Sequence, residues 1–185
     1  MKHCGTQRLE TERLVLRRFT AEDAEAMYRN WARDGEVTKF LTWKPHADAG
    51  VTRALLENWA ASYADERYYQ WAITLKELGD EPVGSISAVG LDDAVSSVEI
   101  GYCLGRAWWR RGLMTEALGA VLAFFFDEVG ANRAEAKHDP RNPNSGRVMR
   151  KCGMRYEGTS RSAGRNNQGI CDLCRYAVLR ADRDA

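Results

Sequence analysis

Trp108-Trp109-Arg110-Arg111-Gly112-Leu113-Met114-Thr115-Glu116-Ala117 is the stretch on which the reading of this chain turns. It lies between a strand pattern, Ser97-Val98-Glu99-Ile100-Gly101-Tyr102-Cys103-Leu104, and the most apolar helix pattern of the sequence. In that helix Met114, Ala117, Leu118, Val121, Phe124 and Phe125 share one stripe. A helix start offers unpaired backbone N–H groups and a partial positive charge. Gly112 lets the backbone approach an anion closely, and Arg106, Arg110 and Arg111 add charge for further phosphates. The combination predicts a diphosphate site. It is not the phosphate loop of nucleoside triphosphatases, because the Gly-Lys-Ser/Thr ending is absent.

Upstream, the strand-like Glu12-Arg13-Leu14-Val15-Leu16-Arg17-Arg18-Phe19 leads into Thr20-x-x-Asp23, a capping pattern. The helix it opens carries Ala24, Met27, Tyr28 and Trp31 at helical spacing. A second helix is expected from about Asp48, with Val51, Leu55, Trp59 and Tyr63 on its core face. Tyr69 to Leu75, a turn at Gly79-Asp80, and Pro82 to Val89 read as a β-hairpin, which the strand Ser97 to Leu104 extends into an antiparallel meander. Downstream of the central helix come a strand from Asn132 to His138 and the turn Asp139-Pro140-Arg141-Asn142-Pro143. A helix from about Ser145 to Cys152 then ends at Gly153, and a last strand runs from Asp172 to Leu179. The polar stretch Thr159 to Gly169, rich in Gly, Ser, Arg and Asn, is expected to be a mobile loop. The order βα(α)βββαβαβ predicts an α/β (α+β) fold, a mixed sheet with helices packed on it.

With 185 residues, 44% of them apolar, the chain has enough core for one domain over residues 1–185 without metal or disulfide staples. A net charge of +1 supplies no broad basic field, so nucleic acid is not an expected partner. The longest apolar run, Ala120 to Phe126, is far short of the ~20 residues of a membrane span. The start, Met1-Lys2-His3-Cys4-Gly5, carries no apolar signal core, so a cytoplasmic protein with no membrane partner is expected. Five cysteines without framework spacing suit a reducing compartment. Cys171-x-x-Cys174 has no second Cys or His pair at matching spacing, and no metal is expected.

Several segments together resemble the GNAT superfamily of acyl-CoA-dependent N-acyltransferases, and within it the RimJ/RimL-like protein N-acetyltransferases. Thr11-Glu12-Arg13-Leu14-Val15-Leu16-Arg17 is similar to that group's opening strand, Pro82-Val83-Gly84-Ser85-Ile86 to its central hairpin, and Val98-Glu99-Ile100-Gly101-Tyr102 to the strand before the cofactor loop. Trp109 to Ala117 resembles the family's Q/R-x-x-G-x-G/A signature. Asn142-x-x-Ser145 and Lys151-Cys152-Gly153-Met154 resemble the group's Asn-x-x-Ser and Lys-x-Gly-Phe elements. The chain departs from the pattern at Trp109 (Gln or Arg in many members), Met114 (Gly or Ala) and Met154 (Phe).

The resemblance implies a GNAT-like fold, a mostly antiparallel sheet with helices on both faces, splayed between the strands Val98 to Leu104 and Asn132 to His138. It implies acetyl-CoA as co-substrate, with its pantetheine arm entering the splay like an added strand beside Tyr102, Cys103 and Leu104. Arg106, Trp109, Arg110, Arg111, Gly112, Leu113, Met114 and Thr115 would surround the diphosphate, and Asn142 and Ser145 would complete the cofactor site. The chemistry implied is direct attack of a neutral primary amine on the thioester, with no acyl-enzyme. The tyrosine that many relatives place seven residues after the motif asparagine is Met149 here; in the RimL-like variant the serine of Asn-x-x-Ser takes its place at the leaving thiolate, and Ser145 matches that serine, while the resemblance places Glu99 to take the amine proton. His138 at its strand end is a weaker candidate. Trp31, Trp43 and Tyr68 would line the acceptor cleft. The acceptor is a small molecule, such as an antibiotic, polyamine or amino acid, or a protein N-terminus. The alternatives are a catalytically weak acyl-CoA sensor and an interaction protein whose Arg-rich loop binds an acidic partner. Monomer and homodimer both remain open.

Overall fold

The alternating segments of the sequence become one sheet in the computed structural model, which describes residues 1–183. Its strands are β1 (Leu9–Glu10), β2 (Leu14–Arg17), β3 (Gln70–Leu75), β4 (Pro82–Asp92), β5 (Ser97–Leu104), β6 (Arg133–His138), β7 (Arg155–Asn166) and β8 (Gly169–Leu179). They lie in the order β1-β2-β3-β4-β5-β6-β8-β7, and every neighbouring pair is antiparallel except β5 with β6. The helices are α1 (Ala24–Met27), which runs on into a π-helical turn over Tyr28–Ala32, then α2 (Gly35–Thr38), α3 (Ala49–Ser62), α4 (Leu113–Phe124) and α5 (Pro143–Lys151).

The sheet has a core on each face. On one side the α4 stripe of Met114, Ala117, Leu118, Val121 and Phe124 packs with Leu14, Leu16, Trp71, Ile86, Val98 and Ile100 from the strands. On the other, Phe19, Met27, Trp31 and Leu56 pack on Ala72. β3 is buried along its whole length, as befits a strand covered on both faces.

The feature that matters for function is where pairing stops. β5 and β6 are in register at Ser97↔Arg133, Val98↔Ala134 and Glu99↔Glu135 and no further. Beyond that point β5 follows β4 as far as Leu104, and β6 follows β8 as far as His138. Parallel neighbours that part while each keeps its outer partner leave a wedge with unpaired main chain on its walls.

Three expectations need correction. Thr159 to Gly169 is not a mobile loop: most of it belongs to β7, which pairs with β8 out to Asn166↔Gly169. An irregularity between Ser160 and Gly164 is pinned where the Ser162 N–H donates to Asp172 Oδ1 at 2.8 Å. The core face of α3 is turned from the expected stripe, with Thr52 and Leu56 buried and Val51 47% exposed. Finally, α5 starts two residues before the expected Ser145, at Pro143 with Asn142 as its N-cap, so Ser145 lies inside the first turn.

Candidate functional site

The chain leaves the part of β5 that β6 does not pair with at Leu104 and runs through residues 105–112 into the start of α4. Its N-cap, Gly112, sits at φ 77°, a left-handed conformation that favours glycine, and offers no side chain to cover the first turn. Arg110 also has positive φ, 62°, so the main chain turns sharply twice just before the helix. Glu116 in the first turn does not oppose an anion there, because its charge is committed elsewhere. It accepts hydrogen bonds from Thr11 Oγ1 (2.5 Å), the Arg13 N–H (2.9 Å) and Arg13 Nε (2.7 Å), which tie the helix start to β2. Burial pushes the Glu116 carboxyl up, yet these bonds outweigh it and hold it below the usual range.

Around the turn, Arg106 Nε pairs with Asp34 at 3.1 Å and Arg111 with Glu77 at 3.1 Å, both guanidinium groups remaining well exposed. Trp109 Nε1 donates to the Leu104 carbonyl at 2.7 Å, which fixes the end of β5 to the loop. Leu113 and Met114 point into the core. The methionine that replaces a small residue of the family pattern therefore does not crowd the outside of the turn. Thr115 is half-buried, and its carbonyl accepts from Cys152 Sγ at 3.3 Å.

The wedge is walled by β5 on one side and by the end of β6 and the start of α5 on the other. Asn142 is half-buried, and its side chain makes no hydrogen bond among the described residues, so its amide is uncommitted. Ser145 Oγ lies 3.0 Å from Tyr102 Oη, which links α5 to β5 across the wedge. His138 Nδ1 donates to the Asp139 carbonyl at 2.8 Å, while Nε2 is buried without a hydrogen-bond partner among the described residues. A Cβ on Gly146 would stand only 2.5 Å from that Nε2, so α5 rests directly on the imidazole, which serves as packing there. Glu99 stands at the crotch where β5 and β6 part, with Lys137 Nζ 2.6 Å from Oε2. Further along β5, Cys103 Sγ is 3.3 Å from Ser85 Oγ of the neighbouring β4.

The three residues expected at the acceptor cleft separate. Trp31 is fully buried in the second core and supplies packing instead of a contact surface. Tyr68 lies edge-on to Tyr63 beside α3, and β4 separates its strand from β5. Trp43 packs at the edge of the second core, and it has a neighbour that sequence reasoning missed. Asn167, at the tip of the β7–β8 hairpin, donates through its side chain to the carbonyls of Thr38 (2.8 Å) and Trp43 (2.7 Å) and through its N–H to Leu41 (3.2 Å). Asn166 beside it donates to the buried Asp139 carboxylate at 2.8 Å. Asp139 also holds Arg141, whose guanidinium lies over the Phe40 ring. The hairpin tip and the segment 38–43 thus form one tied wall, joined through Asp139 to the end of β6.

No group of three or more His, Cys, Asp or Glu that could hold a metal ion occurs among the described residues, and no helix there is long and apolar enough to cross a membrane.

The family model described as an acetyltransferase (GNAT) domain matches residues 13–155. The chain is 29% identical over 174 residues to a Bacillus licheniformis protein named uncharacterized N-acetyltransferase p20, covering 94% of this chain and 97% of the relative. It is 27% identical over 158 residues to the ribosomal protein uS5-alanine N-acetyltransferase of Escherichia coli, covering 82% and 79%. Among solved structures, an acetyltransferase of the GNAT family from Bacillus anthracis superposes with a TM-score of 0.82 at 26% identity, covering 95% of this chain and 99% of that one.

Proposed function

Given that the chain belongs to the GNAT acetyltransferase family and is an N-acetyltransferase, we propose that it moves an acetyl group from acetyl-CoA to a protein N-terminal α-amine by direct attack in a ternary complex. The observation that carries this reading is the wedge between β5 and β6, opening beside the uncapped start of α4. A diphosphate needs N–H donors and cations, and the turn at Arg110 to Thr115 offers both. A pantetheine arm, with its two amides, needs an unpaired strand edge and a free amide partner, and the β5 edge at Tyr102 to Leu104 and Asn142 match that need. The residues present therefore suit acetyl-CoA, which supplies the acyl group already activated as a thioester.

The chain's own groups then do three things. The helix start and β5 edge fix the thioester against the acceptor, and orientation of this kind supplies several kcal/mol of a bimolecular barrier. Glu99 accepts the proton that the attacking amine gives up, directly or through water. Lys137 keeps that carboxylate aimed at the crotch of the wedge. Ser145 donates its hydroxyl proton to the departing thiolate, in the position where Met149 leaves no acid. No cysteine is acylated. We take residues 1–185 to act as one domain, since one sheet threads the described residues.

The α-amine is favoured over a small amine by the uS5-alanine N-acetyltransferase among the relatives and by the wall at Trp43 and Asn167, which is tied through Asp139 to the end of β6 and offers an extended surface for a peptide. Thiol release from acetyl-CoA, followed with alanine- and serine-initiated peptides, their N-blocked forms and spermidine, tests the assignment. Turnover with the free peptides that vanishes on blocking is expected. Turnover with spermidine alone would overturn the peptide assignment, and none with any amine under conditions where acetyl-CoA binds would favour a sensor.

A further inference from the structure

A serine hydroxyl is a poor acid, so whatever aims its single proton bears directly on how well it can serve a leaving thiolate. Strand β5 brings a second hydroxyl to it. The alternation of β5 places the Tyr102 side chain on the same face as Val98, Ile100 and Leu104, and its ring packs against the core beneath α4. From there Tyr102 Oη reaches the first turn of α5, 3.0 Å from the Ser145 carbonyl oxygen and 3.0 Å from Ser145 Oγ.

Two acceptors at equal distance give the phenol two settings. A hydroxyl has one proton and two lone pairs. When Tyr102 donates to the carbonyl, the contact between the two hydroxyls is a hydrogen bond only if Ser145 donates to Tyr102, which turns the serine proton toward the tyrosine. When Tyr102 donates to Oγ, the serine proton is released for another acceptor. We infer that Tyr102 is a positioning residue whose proton moves between these two acceptors and so sets whether Ser145 can donate to the departing sulfur.

In the reaction, as the C–S bond breaks, one proton passes from Ser145 Oγ to the sulfur while the proton that Glu99 took from the amine returns through solvent to the serine oxygen, which the Tyr102 hydrogen bond supports throughout the exchange. No proton is gained or lost overall. Burial pushes the Tyr102 hydroxyl up, more than the Ser145 bond pulls it down, so it stays a donor at neutral pH. The titratable neighbour on α5's far end, Cys152, is pushed up to about 11 by burial and is neutral as well.

This inference rests on the role given to Ser145 above, and the two can fail separately. The apparent pKa of the CoA thiol bound to the protein, read from ultraviolet thiolate absorbance at saturating CoA, reports the donor without needing an acceptor amine. Ser145→Ala is expected to raise it by about one unit, a tenfold loss of thiolate. Tyr102→Phe should raise it by a similar amount, and the double variant no further than Ser145→Ala alone, the non-additivity of two groups acting as one. A rise with Ser145→Ala but none with Tyr102→Phe, or additive rises, would overturn the inference and leave Ser145 standing. No rise with Ser145→Ala would remove Ser145 and Tyr102 together. Should Tyr102→Phe fail to fold, 3-fluorotyrosine at position 102 keeps the shape and strengthens the phenol as a donor. The bound thiol pKa should then fall below that of the parent protein, and an unchanged value would overturn the inference.

Discussion

Five thiols lie in a chain whose proposed chemistry uses none of them as a nucleophile. Their surroundings agree with that. The Cys152 thiol is pushed up to about 11 by burial, so at pH 8 only about a thousandth of it is thiolate. Burial raises Cys103 in the same direction, and its hydrogen bond with Ser85 does not reverse this. Iodoacetamide at pH 8, followed by peptide mass spectrometry, should spare Cys152 and Cys103 in the folded protein and label both after unfolding. Fast labelling of Cys103 in the folded state would place a reactive thiol on the strand proposed to line the thioester, and an acyl-cysteine route would have to be considered. At this scale the sequence was only partly legible. The inward turn of Met114 followed from its place on the α4 stripe. The burial of Trp31 did not, since a tryptophan on a helix face reads alike as core or as binding surface. The Tyr102 side chain was passed over because its strand position suggested a main-chain role, although the alternation of β5 already put the ring on the α5 side.

Among elements, the β7–β8 hairpin departs most from expectation, for a physical reason. Strand patterns are read from a buried face, and residues 159–169 are mostly exposed, so no apolar period marks them. Tertiary anchors hold the hairpin instead, and the buried Asp139 carboxylate is the central one, with Arg141 and Asn166 both donating to it. The Arg141 guanidinium, with the other hydrogen bonds, holds the Asp139 carboxyl well below the usual range in spite of its burial. A carboxyl depressed in the folded state stabilises fully above its unfolded value of about 4, and the contribution drains away as pH falls below that. The melting temperature should therefore drop on acidification below about pH 4. Asp139→Asn should melt lower at pH 7 and show a shallower acid dependence, with faster hydrogen exchange at 162–169. An unchanged exchange pattern would mean that the hairpin is anchored by other contacts. By contrast β5 and α4 were readable to within a residue or two, because each has a continuous buried stripe of its own period.

For the whole molecule, two cores on opposite faces make the sheet rigid on the β2 to β5 side, and it is at the far side of β5 that the wedge opens. The parting of two strands leaves no mark in composition or periodicity, since each keeps a regular pattern with its outer partner. It is legible in the sequence only through family resemblance, whereas the expectation of an anion site at the turn before α4 rests on Gly112, the arginines and the helix that follows. The proposed CoA site joins that turn to the wedge, and a thermal-shift titration with CoA and acetyl-CoA tests it most directly. Ligand at about 100 times its dissociation constant should add about 2.7 kcal/mol, a rise of roughly 5–10 °C for a domain of this size. Asn142→Ala should melt like the parent without ligand, since its side chain makes no hydrogen bond among the described residues, and should lose part of the rise. Gly112→Asp, which adds a carboxylate at a left-handed N-cap, should lose most of it. Equal shifts in all three proteins, or no shift with either ligand, would contradict a CoA site built from the turn and the wedge.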